Sequence, residues 1–168
     1  MTLSMDISFM NKNNFMEKVN MRLLSLLSIL ISLGYSNLAV AQDCSQIVES
    51  NDAMQFDLKE MRVSADCKNL TVTLKHVGNM PQQFMGHNWV LSTTEDMMPL
   101  ANDSQKAGPP SYLPEGDSRI IAATDTIGGG QETTVTFDMS SLDPSGDYTY
   151  FCSFPPHYVV MKGKFIIE

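Results

Sequence analysis

Basic residues and cysteines are scarce in this sequence. Its 168 residues include 11 Lys or Arg against 19 Asp or Glu, three Cys and one Trp, with a formal net charge of −8. We do not expect so acidic a chain to bind nucleic acid or an anionic membrane, because both attract positive charge. Long apolar runs are also missing. Residues 23–33 form an apolar stretch, but a transmembrane helix needs about 20 such residues.

The N-terminal region has the pattern of a secretory signal peptide. Basic residues precede the apolar stretch, and a small-x-small cleavage signal ends at Ala41. We therefore predict that residues 1–41 are removed and that residues 42–168 form a single domain with no stable membrane insertion. A retained membrane anchor is the alternative, and Met21 is an alternative start. The leader holds two acids and three bases, so the remaining chain has a net charge of −9.

Three possible metal ligands lie within ten residues near the C terminus. The pattern Cys-x4-His-x3-Met places Cys152, His157 and Met161 close together, and His87 supplies a second imidazole upstream. Two imidazoles, one thiolate and a weak axial thioether are the donors of a blue copper electron-transfer site. We predict these four residues as ligands of one copper ion. The carbonyl group of Gly86 could approach the opposite axial face, because a glycine lets backbone come close.

Other interpretations use some of the same residues. His157 alone would be an ordinary loop histidine, and Met161 alone a core methionine. Zinc accepts one Cys and two His but has less use for a thioether. A copper carrier would use the same ligands but must exchange its metal. An enzyme with Cys152 as nucleophile would need a histidine base, yet no orienting acid is evident near either histidine. Electron transfer is the favoured function, and we predict no catalytic residues.

The neighbours of the predicted ligands are candidates for supporting the site. Asn88 and Ser153 directly follow His87 and Cys152 in the chain, and Phe154 comes next. An Asn side chain could tie the two ligand segments together, and backbone amides after the cysteine could donate to its sulfur. The third histidine, His76, we interpret as a core or strand-end residue.

The remaining cysteines are expected to form a disulfide. In an oxidising compartment two of three cysteines should pair, and Cys152 already has a role as a ligand. Cys44 and Cys67 are then left to each other, 23 residues apart. Closing a loop of that size stabilises a fold by ~3 kcal/mol. The alternative is that all three are buried free thiols.

Short strand-like runs separated by Gly, Pro and Asn turns predict an all-β fold. Residues 69–76 alternate polar and apolar side chains, as in a half-buried strand. Many such strands favour a sandwich of two packed sheets. Residues 93–107 break the alternation and are predicted to hold a short helix. The other predicted strands are residues 62–65, 88–92, 119–122, 133–137, 148–151 and 164–167.

At these residues the chain resembles the azurins, small periplasmic blue copper proteins of the cupredoxin family. The resemblance covers about residues 43–167 and implies a Greek-key β-sandwich with a helical flap insertion. It also implies the same copper ligands, the same disulfide, and a periplasmic one-electron carrier. Expected partners are redox proteins such as c-type cytochromes or periplasmic reductases, met by a monomer. The matching motifs are Met54-Gln55-Phe56, Met85-Gly86-His87-Asn88-Trp89-Val90-Leu91-Ser92, Asp117-Ser118-Arg119, Val135-Thr136-Phe137-Asp138 and Met161-Lys162-Gly163.

The chain departs from that family at two places. Pro156 stands where azurins usually have glycine before the C-terminal histidine ligand. Proline fixes φ and adds bulk, so this departure concerns docking more than ligation. Residues 108–112 are about one residue shorter than in azurins. We expect His157 to be the partly exposed ligand through which the electron leaves. The predicted apolar docking patch around it consists of Met54, Met85, Phe154, Pro156 and Val160.

Overall fold

The structure, a computed structural model, describes residues 44–168, which form two β-sheets with short helices between strands. The predicted signal peptide lies outside the described residues. Within the described part of the chain, no helix is long and apolar enough to cross a membrane. The strands are β1 (Ser45–Asn51), β2 (Gln55–Phe56), β3 (Glu60–Val63), β4 (Asn69–His76), β5 (Val90–Thr93), β6 (Ala122–Ala123), β7 (Glu132–Asp138), β8 (Tyr148–Phe151) and β9 (Lys162–Ile167). The helices are α1 (Gln82–Met85), α2 (Thr94–Ala107) and a 3-10 helix (His157–Val159).

The first sheet has the strand order β2-β1-β4-β7. Its central strand β4 was predicted from alternation, and Leu70, Val72 and Leu74 are fully buried as that pattern requires. On the opposite face, Thr71 and Thr73 form hydroxyl hydrogen bonds to threonines of β7 at 3.0 and 3.1 Å. Apolar side chains therefore fill the space between the sheets while short polar pairs cover the outside.

The second sheet has the order β3-β9-β8-β5-β6. All four residues of β8 are buried, because both faces of this strand are covered. Tyr150 faces the core between the sheets, whereas Phe151 packs against Met97 and Leu100 of α2. Burial on both faces explains why β8 shows no alternation in the sequence.

Helix α2 is the predicted flap. Thr93 caps its N terminus, since the Thr93 hydroxyl accepts a hydrogen bond from the Asp96 N–H at 3.1 Å. Gly108, with a φ of 70°, ends the helix, and this left-handed backbone favours glycine. The helix and the two sheets confirm the predicted all-β sandwich with a helical insertion.

One disulfide and the single tryptophan belong to the core between the two sheets. Cys44 and Cys67 are bonded, with an S–S distance of 1.98 Å, which confirms the predicted pair and excludes three free thiols. The bond ties the residue before β1 to the turn before β4. Trp89 is fully buried and lies among the rings of Phe137, Tyr150 and Phe165.

Several strand boundaries differ from the predicted ones. Strand β1 was not predicted, because only Val48 and Ser50 of its seven residues are buried. The predicted strand at residues 119–122 is wrong in extent, since only Ala122 and Ala123 pair, with β5. The preceding residues instead form a turn in which Arg119 binds Asp117 through backbone and side chain.

Candidate metal centre

Cys152, His157 and Met161 are brought together by a loop that closes on itself. The loop joins β8 to β9, and the Cys152 N–H donates to the Met161 carbonyl at 3.0 Å. Within it, the Met161 N–H donates to the His157 carbonyl at 2.7 Å. The three residues are at most 2% exposed. The backbone of this ten-residue loop thus brings Cys152, His157 and Met161 together, and all three residues are buried.

His87 reaches the same place from a different part of the chain. It lies between α1 and β5 and forms an isolated bridge with Ile127, with hydrogen bonds of 3.0 and 2.9 Å in the two directions. Its Nε2 lies 2.9 Å from the Asn51 carbonyl oxygen, so Nε2 carries the proton and donates. The Nδ1 lone pair is then free to bind a metal.

The spacing of the three donor atoms fits a metal ion. Cys152 Sγ lies 3.8 Å from His87 Nδ1 and 3.7 Å from His157 Nδ1, and the two Nδ1 atoms are 3.2 Å apart. Metal–ligand bonds of about 2.0–2.3 Å at trigonal angles give donor separations of about 3.5–3.8 Å. The two sulfur–nitrogen distances match this range and the nitrogen pair is slightly closer. His87, Cys152 and His157 therefore form a cluster suited to one copper ion.

Gly86 and Met161 lie beside this cluster. The Gly86 carbonyl oxygen is 3.9 Å from Cys152 Sγ. A Cβ at Gly86 would lie 2.6 Å from the Gln82 carbonyl oxygen and 2.8 Å from a ring carbon of Phe154. Only glycine therefore lets this carbonyl group come so close. Met161 is fully buried, and its backbone forms hydrogen bonds with the backbones of Cys152 and His157.

Asn88 connects the two ligand segments. Its Oδ1 accepts from the Ser153 N–H at 2.8 Å, and its Nδ2 donates to the Ser153 hydroxyl at 2.8 Å and to the Ser111 carbonyl at 3.2 Å. Asn88 and Ser153 are fully buried. Because Asn88 directly follows His87 and its side chain bonds Ser153, which directly follows Cys152, it holds the two segments together before any metal binds.

Burial controls the protonation of the donor groups. It lowers the pKa of His87 and of His157 to about 4, and it raises the pKa of the Cys152 thiol to about 12. Without metal the imidazoles are thus neutral and the thiol keeps its proton at neutral pH. A buried thiol of this kind is a poor nucleophile. This argues against an enzyme that uses Cys152 for covalent chemistry.

His76 lies closer to the site than the sequence indicated. It ends β4, and its ring stacks on His87 with centroids 4.5 Å apart. Its Nδ1 accepts from the Gly78 N–H at 3.1 Å, and its Nε2 lies 3.0 Å from the Met85 carbonyl oxygen. Both nitrogens are occupied, so His76 supports the ligand ring without serving as a ligand. Its even spacing from Leu70 and Leu74 was the available signal that it points inward.

The surface near the site differs from the expected rim. His157 is only 2% exposed, so the expectation of a partly exposed ligand is wrong. The ring of Phe154 covers it at a centroid distance of 4.7 Å, and Phe154 is itself only 8% exposed. The outer surface comes instead from Val159 and Val160, which are more than half exposed. Pro156 is also exposed, and Met54 and Met85 are partly exposed.

Phe84 was missed by the sequence argument. It lies in α1 and is 66% exposed, the highest value among the large apolar side chains of the described residues. The signal was present in the sequence, because Phe84 directly precedes the Met85-Gly86-His87 segment. Four residues are too few to show the amphipathic period that identifies an outward-facing apolar side chain.

Comparison with known proteins agrees with this geometry. The family of copper binding proteins described as the plastocyanin/azurin family matches residues 42–168. An azurin of Pseudomonas fluorescens biotype C is 52% identical over 127 residues, covering 75% of this chain and 99% of that protein. An azurin of Achromobacter denitrificans is 50% identical over 138 residues, covering 81% of this chain and 93% of that protein. The solved azurin (Az-iso2) of Methylomonas sp. strain J has a TM-score of 0.72 at 40% identity and covers 75% of this chain and 98% of its own. The chain belongs to the plastocyanin/azurin family of copper-binding proteins.

Proposed function

We propose that this protein is a periplasmic one-electron carrier with a single blue copper site. His87, Cys152, His157 and Met161 would hold the copper ion, and the Gly86 carbonyl group would lie near it. The observation that carries the proposal is the convergence of one buried thiol and two imidazole Nδ1 atoms. Copper would supply the Cu(I)/Cu(II) couple.

The protein's own groups hold the site and keep water from it. The Asn51 carbonyl orients the His87 ring, and Asn88 locks the two ligand segments together. Phe154 and the sheets exclude solvent from the donor atoms. A buried, hydrogen-bonded site changes little when its charge changes, and a small rearrangement favours rapid electron transfer.

The docking surface is proposed as an apolar patch over the loop that carries His157. Its exposed part consists of Phe84, Pro156, Val159 and Val160, with Met54 and Met85 at its edge. A patch of this kind on an acidic protein supports brief, weak contacts. The partners are redox proteins such as c-type cytochromes or periplasmic reductases, and the carrier acts as a monomer. Residues 1–41 are proposed as the cleaved signal peptide.

A copper carrier is the competing function. It would have to release copper to another protein. All three donor residues of the cluster are buried, which disfavours direct attack by an incoming ligand. A Cu(I) dissociation time much longer than the time of electron exchange would support the electron carrier.

The test is the visible spectrum of residues 42–168 after Cu(II) is added, compared with the same measurement on Cys152→Ser. We expect an intense thiolate-to-copper band in the wild type and its loss in the variant. His76→Gln is the matched control, since His76 contacts the site without binding metal, and it should keep the band. A pale wild-type protein would refute the blue copper site.

A further inference from the structure

A second candidate site lies beside α2 and contains no copper ligand. It is a cavity of about 360 Å³ on the outer face of the five-stranded sheet. Lys162 of β9 pairs in register with Phe151 of β8, and Phe151 packs against Met97 of α2. The cavity therefore lies where α2 stops covering this face. Its lining is Lys59, Thr94, Met97, Met98, Thr149, Lys162, Gly163 and Lys164.

The inside of this cavity is apolar. Met97 and Met98 form one wall, and methionine adapts its shape to varied apolar ligands. The Thr94 hydroxyl donates to the Asp147 carboxylate at 2.9 Å and pairs with the Thr149 hydroxyl at 2.8 Å, so neither hydroxyl requires a polar partner from a ligand. The methylene stems of lysines cover apolar surface while their ammonium groups stay at the rim.

The rim carries more positive than negative charge, because three lysines line the cavity and, among the described residues, only one acid, Asp147, is bonded to its lining residues Thr94 and Lys164. The described residues include eight Lys or Arg, and five of them form ion pairs with Asp or Glu. Lys164 at this cavity is one of the five, since it binds Asp147 at 2.6 Å. Within residues 44–168 the cations without an ion pair are Lys59, Lys68 and Lys162, and two of these three line the same cavity. This is unexpected in so acidic a chain.

We propose that this cavity binds a small amphiphilic anion, an aliphatic or aryl monocarboxylate. The carboxylate would bind the ammonium groups of Lys59 and Lys162, and the apolar body would lie against Met97 and Met98. The cavity volume is at the lower end of the range of about 300–1,000 Å³ found for small-molecule sites, which suits a ligand of the size of octanoate. The site is independent of the copper ligands, so its failure would leave the proposed electron carrier untouched.

The test is an NMR titration of the Cu(I)-loaded protein, which is diamagnetic, with octanoate. We expect saturable shifts of the backbone amides of Lys59, Met98 and Lys162. The variant Lys59→Gln/Lys162→Gln should bind octanoate roughly 3- to 30-fold more weakly, because two exposed ion pairs are lost. Lys68→Gln is the matched control, since it removes an unpaired cation away from the cavity, and it should bind like the wild type. Uncharged 1-octanol should bind the wild type and the double variant equally.

Three outcomes would overturn the proposal. The first is a shift that grows linearly with octanoate and never saturates. The second is a saturable shift confined to Phe84, Val159 and Val160, which would place the ligand on the apolar docking patch. The third is equal weakening by Lys68→Gln, which would show a general charge effect. The amide spectra of the free variants report whether each one is folded, so a folding failure is recognised separately.

Discussion

Replacing Asn88 with alanine tests whether the metal site is built before metal binds. The side chain makes two hydrogen bonds to Ser153 at 2.8 Å and one to the Ser111 carbonyl at 3.2 Å. Asn88 and Ser153 are completely buried, so water cannot replace the two bonds lost at Ser153. Each bond contributes about 1 kcal/mol net, and unsatisfied buried groups cost about 1–3 kcal/mol more. We expect Asn88→Ala to lower the free energy of unfolding by about 4–6 kcal/mol.

The measurement is urea unfolding of the copper-free protein, so that metal binding does not add to the apparent stability. Asn102→Ala is the control, because Asn102 is exposed on α2 and its replacement should change the free energy of unfolding by less than about 0.5 kcal/mol. Ser153→Ala removes only one of the three bonds and should lie between the two. A loss below about 1 kcal/mol in Asn88→Ala would refute the argument that this side chain joins the two ligand segments.

Four further predictions follow from the site and the core. Gly86→Ala should destabilise the protein by about 1–3 kcal/mol and alter the visible spectrum of the copper form. The reason is that the new Cβ would clash with Gln82 and Phe154. A variant as stable as the wild type, with an unchanged spectrum, contradicts this. Replacing both Cys44 and Cys67 with alanine should lower the free energy of unfolding by about 3 kcal/mol, and unchanged urea unfolding would count against it. The copper-free protein should lose about 2–5 kcal/mol of stability as the pH falls from 6.5 to 4. In the unfolded chain histidines have a pKa of about 6.5, whereas burial lowers the pKa of His87 and His157 to about 4, so protons bind the unfolded state first. The copper-loaded protein, whose imidazoles are held by metal, is the control. Metal binding near pH 7 should release one proton per ion, because burial keeps the Cys152 thiol protonated with a pKa of about 12. Calorimetry in buffers of different ionisation enthalpy measures the number of protons released. If no proton is released, the thiol is already ionised before metal binds.

Most of the ligand cluster could be predicted because three of its residue types lie at short, regular spacings in the sequence. Cys152, His157 and Met161 lie in one loop, and a loop that short must bring its residues close together. Asn88 could be identified because it follows a ligand directly. The position of His87 beside that loop depends on the antiparallel pairing of β5 with β8, in which Val90 lies opposite Phe151, and residue types alone suggested this without placing it.

Other features depend on tertiary contacts that no local pattern shows. Strand β1 has a weak alternation because it pairs in parallel with β4 and buries only Val48 and Ser50. The burial of His157 depends on where the Phe154 ring lies. The stacking of His76 on His87 joins residues eleven positions apart across a loop. In each case the missing information is which side chain covers which.

The parallel pairing of β3 with β9 has a consequence for how the chain reaches its native state. This ladder joins residues 60–63 to residues 164–167, so β3 cannot pair until β9 has been synthesised. Contacts between residues so far apart in sequence slow folding, because the intervening chain must first be ordered. The copper ligands Cys152 and His157 arrive almost as late. The metal site and the second sheet are therefore completed only after synthesis of the whole chain, and a truncation that removes β9 would leave both unfinished.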